Sequence, residues 1–178
     1  MEKSKLPVLV PALQIHQQII QNMARFYVYD MSRHCGEESG WEIPENGLYE
    51  CSDLSRYFHE KDRFAFLIRV QKELAGFVLV NKVGTSLEVD WNIGEFFILA
   101  KFQGEGIARA MAIQIFDRFD GLWEVAQMPK NLPAIRFWKK VVDEYSAGQF
   151  KESIQVIQEP KPHPMIVLRF MSNKRFLT

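Results

Sequence analysis

Two short apolar runs, close together along the chain, predict a pair of neighbouring β-strands. Residues 64–70 and 74–80 are rich in Phe, Val, Leu and Ile, and only Gln71, Lys72 and Glu73 separate them. Because so short a connection joins antiparallel neighbours, the pattern predicts a β-hairpin. Other apolar runs predict further strands at 6–10, 87–99, 122–128, 154–157 and 165–170. Gly94 interrupts the second of these further segments, which indicates a bulge or a close backbone approach.

Apolar residues at three- and four-residue spacing predict three longer helices, over 12–31, 104–119 and 131–142. A short helix is expected after Asp53, and residues 32–47 read as a loop because they hold four Gly or Pro residues. The order is antiparallel strands, then a strand–helix–strand crossover, then a closing hairpin. This order predicts the α/β class. At 178 residues the chain is expected to form one domain, 1–178.

Composition narrows the classes of partner and site. The 22 basic and 22 acidic residues cancel, so neither nucleic acid nor an anionic membrane is an expected partner. The apolar run near the N-terminus is short and ends at Pro11, which predicts no signal peptide, no membrane span and a cytoplasmic protein. Cys35 and Cys51 are expected to be thiols, with a disulfide as the alternative. No Cys and His residues have metal-ligand spacing, so no metal site is predicted.

A glycine turn is the strongest chemical signal. Gly104 and Gly106 follow an apolar strand and open a helix, where backbone N–H groups and the positive helix end attract an anion. The turn therefore indicates a ligand with a phosphate-rich handle. A P-loop is excluded because no Lys–Ser or Lys–Thr pair follows. A dinucleotide fold fits poorly because Arg109 stands where its third glycine belongs.

The segment Gln103–Ala108, Q-G-E-G-I-A, resembles the [Q/R]-x-x-G-x-[G/A] signature of the GNAT superfamily of acetyl-CoA-dependent N-acetyltransferases. Downstream, Asn131, Ala134, Phe137 and Trp138 are similar to the N-x-x-A-x-x-F-Y helix of that family. The two motifs are in register, and the resemblance covers most of the chain. It implies a mixed, mostly antiparallel sheet flanked by helices, with a splayed central strand.

The resemblance also implies how acetyl-CoA would be held. Backbone groups of Phe97, Ile98 and Leu99 would run along the pantetheine arm as an added strand. Asn131, Ala134 and Trp138 would contact the same arm. Arg109 or Lys101 would add positive charge near the phosphates. The pyrophosphate would be held by backbone N–H groups of Gln103, Gly104, Glu105, Gly106, Ile107 and Ala108.

Acetyl transfer to an amine needs a base, an oxyanion donor and an acid. An amine with a pKa of about 10.4 must lose a proton before it attacks, and Glu95 is the candidate base. A backbone N–H near Ile98 or Leu99 would serve the oxyanion. The usual acid is a tyrosine, whose position here is Trp138, and an indole cannot supply a proton. Tyr145 is the candidate replacement, with solvent as the alternative.

The acceptor is expected to be a small-molecule or peptide amine. Tyr27, Tyr29 and Asp30 close the first long helix, and an acidic, aromatic rim would suit a cationic amine, although core packing explains the aromatic residues equally well. The predicted activity is direct acetyl transfer in a ternary complex, by a monomer or homodimer. The alternative is a catalytically weak acyl-CoA-binding or interaction module, which the Trp138 substitution keeps open.

Overall fold

The computed structural model describes residues 6–36, 40–85, 89–158 and 161–172. Its elements are β1 Pro7–Pro11, α1 Gln17–Cys35, β2 Arg63–Val70, β3 Glu73–Asn81, β4 Trp91–Ile98, α2 Ile107–Arg118, β5 Leu122–Gln127, α3 Leu132–Ser146, β6 Phe150–Ile157 and β7 His163–Met171. The strands lie in the sheet in the order β1-β2-β3-β4-β5-β7-β6. The β4–β5 pair is parallel, and the β1–β2, β5–β7 and β6–β7 pairs are antiparallel. The predicted α/β class with a mostly antiparallel sheet is confirmed.

Helix boundaries differ from the predictions where the backbone turns left-handed. α2 begins at Ile107 rather than at 104, because Gly104 and Gly106 have φ values of 81° and 77°. α3 continues past 142 to Ser146 and is capped by Ala147, whose φ is 52°. The short helix expected after Asp53 is a 3₁₀ turn over Ser55–Phe58. Residues 86–88, which include the start of the strand predicted over 87–99, lie outside the described residues.

The first helix lies further along the chain than its pattern predicted. A 3₁₀ turn, Gln14–His16, precedes α1, which then runs from Gln17 to Cys35 instead of ending near 31. Both Cys35 and Cys51 are thiols in the structure, as expected. The Cys51 sulfur accepts a hydrogen bond of 2.9 Å from the Gln21 side-chain amide, which ties the loop after α1 back to the helix.

The chain divides into two compact units. The first unit comprises Met1–Leu79 and Glu95–Met111, and the second comprises Val80–Gly94 and Ala112–Thr178. In the first unit, α1 packs its apolar side on strand residues to form one core. The buried members of this core are Ile20, Met23, Ala24, Leu54, Ala65, Leu67, Phe77, Leu79 and Phe97.

The second unit is built around Phe116 of α2. Its ring contacts the Trp123 ring at 5.1 Å and the Phe170 ring at 4.8 Å between centroids. The Trp138 and Tyr145 rings of α3 complete this cluster at 6.2 and 5.2 Å. Edge-on contacts, with Trp123 and Phe170, and tilted contacts, with Trp138 and Tyr145, add stability beyond the area they bury. They fix α3 against the strand face that carries Trp123.

The opposite face of β5 holds a buried charge. Glu124 is 1% exposed, and its carboxylate accepts hydrogen bonds from Arg169 at 2.9 Å and from the Thr85 hydroxyl at 2.8 Å. The Thr85 backbone N–H supplies a third bond at 2.6 Å. A buried carboxylate is tolerated when a cation and further hydrogen-bond donors pair with it. These partners therefore explain the burial of Glu124.

Gly94 lies where the pairing of β4 changes. The parallel pairs with β5 cover Trp91, Asn92 and Ile93, and Gly94 is the next residue along the strand. Beyond it, the Leu99 N–H donates to the Ala75 carbonyl oxygen at 2.8 Å, on the side of β3. The bulge or close approach expected at Gly94 stays a prediction, and the glycine marks the point at which β4 and β5 stop pairing.

Gly76 should be essential for the position of β4. A Cβ atom built on Gly76 would lie 2.0 Å from the Phe97 carbonyl oxygen, a backbone atom that cannot rotate away. We expect Gly76→Ala to lower the free energy of unfolding by about 2 kcal/mol or more, as overpacked sites do. The measurement is urea unfolding followed by tryptophan fluorescence.

The control for this prediction is Gly47→Ala. Gly47 has a φ of 74°, and a Cβ atom added there would meet nothing within 4 Å beyond its chain neighbours, so only backbone strain of about 1 kcal/mol is expected. Equal losses in the two variants would show that the β3–β4 approach carries no special cost.

Candidate active site

At the end of β4, the backbone groups on one side of the strand hydrogen-bond to β3. Leu99 donates its N–H to Ala75, so alternation along the strand directs the Ile98 N–H away from β3. The Ile98 carbonyl oxygen accepts a bond of 2.8 Å from the Gln103 side chain. Of the two N–H groups predicted to serve an oxyanion, the Leu99 N–H is occupied. The Ile98 N–H is the candidate that remains.

The glycine turn has the open geometry that an anion needs. Gly104 and Gly106 both adopt left-handed backbone, and a Cβ at either residue would meet no atom within 4 Å beyond its chain neighbours. The first helical bond runs from the Ala110 N–H to the Gly106 carbonyl at 3.1 Å. The N–H groups of Ile107 and Ala108 therefore belong to the first turn of α2, where a helix has no internal acceptors to offer.

One turn residue acts differently from the expectation. The Gln103 N–H donates to the Ala100 carbonyl at 3.2 Å, so this residue supports the turn through its backbone and holds β4 through its side chain. Glu105 is exposed, and its backbone N–H stays among the predicted pyrophosphate donors. The residues present thus fit a diphosphate group held by the N–H groups after Gln103.

Loss of contact with water strongly changes the protonation of the Glu95 carboxyl group at this site. Loss of solvation raises the pKa of Glu95 from 4.5 to about 7, and a hydrogen bond from the Tyr27 hydroxyl partly opposes the rise. Burial and the nearby Glu95 charge raise the pKa of Tyr27 well above 10, so its hydroxyl keeps its proton. A carboxyl group that titrates near neutral pH suits a general base.

The three predicted acceptor residues do not share one surface. The Tyr27 ring packs on Phe97 at 5.9 Å, beside Glu95 on the same strand. Tyr29 is exposed and contacts the Tyr49 ring at 6.2 Å instead. Asp30 is half-buried, one helical turn from Tyr27. The structure therefore joins Tyr27, of these three, to the candidate base.

Two basic residues lie near the start of α2. Arg109 is exposed in its first turn. Lys101 forms an ion pair with Glu73 and lies over the Phe102 ring at 5.2 Å. Both lie close to the glycine turn in sequence, so the positive charge that the resemblance implies near the phosphates stays a prediction for either residue.

In the second unit, Asn131 begins α3 as its N-cap. Its side-chain oxygen accepts a bond of 3.2 Å from the Ala134 N–H, which satisfies one of the helix's unpaired donors. Ala134 is half-buried, and Trp138 is buried in the Phe116 cluster. The predicted cofactor contacts of these three residues are compatible with their structural roles.

Tyr145 is placed for packing. It is buried, its ring contacts Phe116 and Phe170, and its hydroxyl donates to the Asp117 carboxylate at 2.9 Å. A hydroxyl engaged in this bond has its proton directed at Asp117. The geometry therefore gives the predicted acid role no support, and that role stays a prediction.

Two features escaped the sequence analysis. The Tyr27–Glu95 hydrogen bond joins residues from distant segments, so no local pattern indicated it. Gln127 was overlooked although it follows Trp123 and Val125 at strand spacing. A polar residue at a position with core periodicity is the signal that could have identified it.

Other kinds of site receive no support from the described residues. Within these parts of the chain, no three His, Cys, Asp or Glu side chains are grouped to hold a metal ion. Among the helices that the structure describes, none combines the length and the apolar character that a bilayer crossing requires.

Comparison with known proteins identifies the family. The sequence profile of the Acetyltransferase (GNAT) family matches residues 25–142, well over half of the chain. An acetyltransferase from Thermus thermophilus has the same fold, with 16% identity and a TM-score of 0.61 over 92% of this chain and 97% of that one. The ribosomal-protein-S18-alanine N-acetyltransferase from Escherichia coli gives 10% identity and a TM-score of 0.57, covering 94% and 95%.

A third structure was solved with a ligand. A protein from Bacillus anthracis, described as a streptothricin acetyltransferase in complex with acetyl coenzyme A, gives 12% identity and a TM-score of 0.52 over 70% of each chain. No curated protein matches the sequence. At identities this low the structural matches show the fold, while the profile match shows the family. The chain belongs to the GNAT family of acetyltransferases, the acyltransferases that use acetyl-CoA.

Proposed function

We propose that the chain works as one domain, 1–178, that transfers an acetyl group from acetyl-CoA directly to a primary amine in a ternary complex. Glu95 is the general base. The observation that carries this proposal is the half-buried Glu95 side chain beside Tyr27, where loss of solvation raises the pKa of the carboxyl to about 7, a value that suits deprotonation of an amine near neutral pH. It lies on the same strand as the Ile98 N–H.

The chain's donors suit acetyl-CoA, which supplies an activated thioester when bound. The N–H groups of the turn after Gln103 are offered to the pyrophosphate, and the Ile98 N–H to the acyl end. The turn donors are those of Gly104, Glu105, Gly106, Ile107 and Ala108. Arg109 or Lys101 adds positive charge. The contacts of Asn131, Ala134 and Trp138 with the pantetheine arm are part of the proposal and rest on the family motif that these residues match.

The chemistry assigned to the residues is a single displacement. Glu95 accepts one proton of the protonated amine, and the neutral nitrogen forms a bond to the acetyl carbon as the carbon–sulfur bond breaks. The second proton that the nitrogen loses on becoming an amide goes to solvent. Tyr27 keeps its own proton and donates a hydrogen bond to the carboxylate, which stabilises the charged form of the base. The departing thiolate takes a proton from solvent, because the Tyr145 hydroxyl is bound to Asp117.

The acceptor class is a cationic amine on a small molecule or peptide. Tyr27 and Asp30 provide an aromatic and an acidic group on one side of α1. Structural neighbours include a spermidine N-acetyltransferase chimera and the S18-alanine enzyme, so the fold serves both kinds of amine. The alternative, a catalytically weak acyl-CoA-binding module, is favoured by Trp138 in place of tyrosine. The expected cytoplasmic location and monomeric or homodimeric state stay predictions.

The glycine turn should control cofactor affinity. We expect wild-type protein to bind acetyl-CoA at micromolar concentration in isothermal titration calorimetry and not to bind NADH. Gly106→Ala should weaken acetyl-CoA binding about tenfold, because a left-handed alanine costs about 1–2 kcal/mol. Gly148→Ala is the matched control, since Gly148 has a φ of 78° in the turn after α3. Equal losses in both variants, or no wild-type binding at tens of micromolar, would remove the turn from the cofactor site.

Glu95→Gln should bind acetyl-CoA normally but lose turnover. The expected fall in kcat is about 10²–10⁴-fold, the usual contribution of a general base. In the wild type, kcat should rise with pH through about 7, since the ionised carboxylate is the active form. Glu45→Gln, at an exposed position, is the control. An unchanged kcat for Glu95→Gln with a working acceptor would exclude Glu95 from the mechanism.

The unfolding free energy of Glu95→Gln, compared with that of the wild type, should change with pH in one direction. A folded-state pKa raised from 4.5 to about 7 means that the folded protein binds this proton more tightly than the unfolded chain. Wild-type stability is therefore lost as pH rises through this window. Relative to wild type, Glu95→Gln should gain about 3 kcal/mol between pH 4 and pH 8, measured by urea unfolding. If the difference in unfolding free energy between the variant and the wild type did not change with pH, the Glu95 carboxyl would not be desolvated in the folded protein.

Tyr27→Phe should move the midpoint of this pH dependence upward, because it removes the hydrogen bond that lowers the Glu95 pKa.

A further inference from the structure

Strand β6 lies at one end of the sheet order and has β7 as its one neighbour among the described strands. An edge strand of this kind directs half of its backbone N–H and C=O groups away from its neighbour, towards the position of a further strand. β6 has eight residues, although the edge strands of natural sheets are often kept very short. The edge therefore selects a partner that presents an extended strand of its own.

Apolar side chains are exposed on β6 beyond the contact with helix α3. The Lys139 side chain of α3 forms an ion pair of 2.8 Å with Glu152, near the start of the strand. Ile154 and Val156 follow Glu152 on the same face, because side chains alternate along a strand, and they are 72% and 59% exposed. Together with their cross-strand neighbours on β7 they form the β6 patch, which comprises Ile154, Val156, Pro164 and Ile166.

The chain protects its other edge strand but not this one. β1 is five residues long and has a proline at each end, and proline has no N–H to donate to a further strand. β6 contains no proline. Its two charged residues, Lys151 and Glu152, precede the β6 patch, so residues 153–157 lack the charges that keep edge strands apart. A long, apolar and unprotected edge is expected where the strand pairs with another chain.

The second half of β6 is complementary to a second copy of itself. When two copies lie antiparallel about a twofold axis through Gln155, Ile154 of each copy faces Val156 of the other. Residues 153–157 overlap in this register, and apolar cross-strand pairs stabilise it. An axis through Ile154 would instead set the Glu152 carboxylate of each copy against Val156 of the other, which desolvates a charge without pairing it.

The same strand of a second copy is therefore the favoured partner. Pairing of β6 with β1 of another copy would join two different surfaces, which builds open-ended assemblies, and the prolines of β1 would leave hydrogen bonds unmade. Pairing of β6 with β6 uses one surface twice and closes at two copies.

We propose that the outer edge of β6, with the β6 patch, is a homodimer interface at which the β6 strands of two copies pair antiparallel about Gln155. The four strands at the interface then follow the order β7-β6-β6-β7. Because five overlapping residues from each copy make a small interface, the dimer is weak, with a Kd of about 10–100 µM.

Sedimentation velocity of the full chain over a range of concentrations tests this interface. The wild type should change from monomer to dimer as the concentration rises through the Kd. Ile154→Lys and Val156→Glu should each weaken dimerisation at least about tenfold, because each sets a charge against an apolar residue of the other copy. Both substitutions in one chain should restore the dimer, since the ammonium of each copy then faces the carboxylate of the other.

Val8→Lys is the matched control. Val8 is 52% exposed on β1, so this substitution puts the same charge on the other edge strand and should leave dimerisation unchanged. Because all three positions are exposed, the variants should also unfold at the wild-type temperature.

Each contrary outcome overturns part or all of the proposal. A wild type that stays monomeric well above about 100 µM would refute the interface, as would a dimer that persists in Ile154→Lys and Val156→Glu. Loss of the dimer in Val8→Lys alone would assign the contact to β1. If the double variant stays monomeric while both single variants fold, the register about Gln155 is wrong. The experiment needs neither acetyl-CoA nor an acceptor, so its outcome is independent of the proposed function.

Discussion

The pairing of strand β4 is the constraint on which the site depends. Every buried backbone N–H and C=O needs a partner, and β4 pairs with β5 only over Trp91–Ile93. The strand continues to Ile98, where β3 holds it through the Leu99–Ala75 bond. The far edge of this second half presents backbone groups that β3 does not use. An extended ligand can pair with such an edge as an added strand does, so the incomplete pairing of β4 leaves an edge that would suit the proposed contact with the pantetheine arm.

The same strand places a carboxyl group where water solvates it poorly. Burial alone favours the neutral acid, which cannot accept a proton, whereas full exposure would leave Glu95 near its ordinary pKa of 4.5 and too weak a base. The Tyr27 hydroxyl favours the charged form and limits the rise in the Glu95 pKa to about 7. Because the Tyr27 pKa is raised well above 10, this donor does not titrate alongside the acid it supports. Two opposing effects thus set the base strength.

Features encoded locally could be predicted from the sequence. The hairpin, the glycine turn and the crossover each follow from a few neighbouring residues, and two motifs in register identified the family. The predicted helix ends were less accurate. Glycine often marks a left-handed position in a sequence, but a left-handed residue of another type, such as Ala147, cannot be recognised from the sequence. Contacts between distant segments were missed. Tyr145 and Asp117 are 28 residues apart, and the structure was needed to show that this hydroxyl already has an acceptor.

Burial of a polar group does not by itself indicate function in this protein. A buried polar group with too few hydrogen-bond or ion-pair partners is the stronger indication. Glu124 is almost fully buried, but Arg169 and Thr85 satisfy it, so its burial is explained by the fold. Glu95 receives one hydrogen bond against its desolvation, and Gln127 receives none within the described chain. Each therefore makes the folded state less stable than an apolar or neutral replacement would. Proteins keep such costs where activity requires them, and of these two residues Glu95 is the one to which the proposed function gives a chemical role.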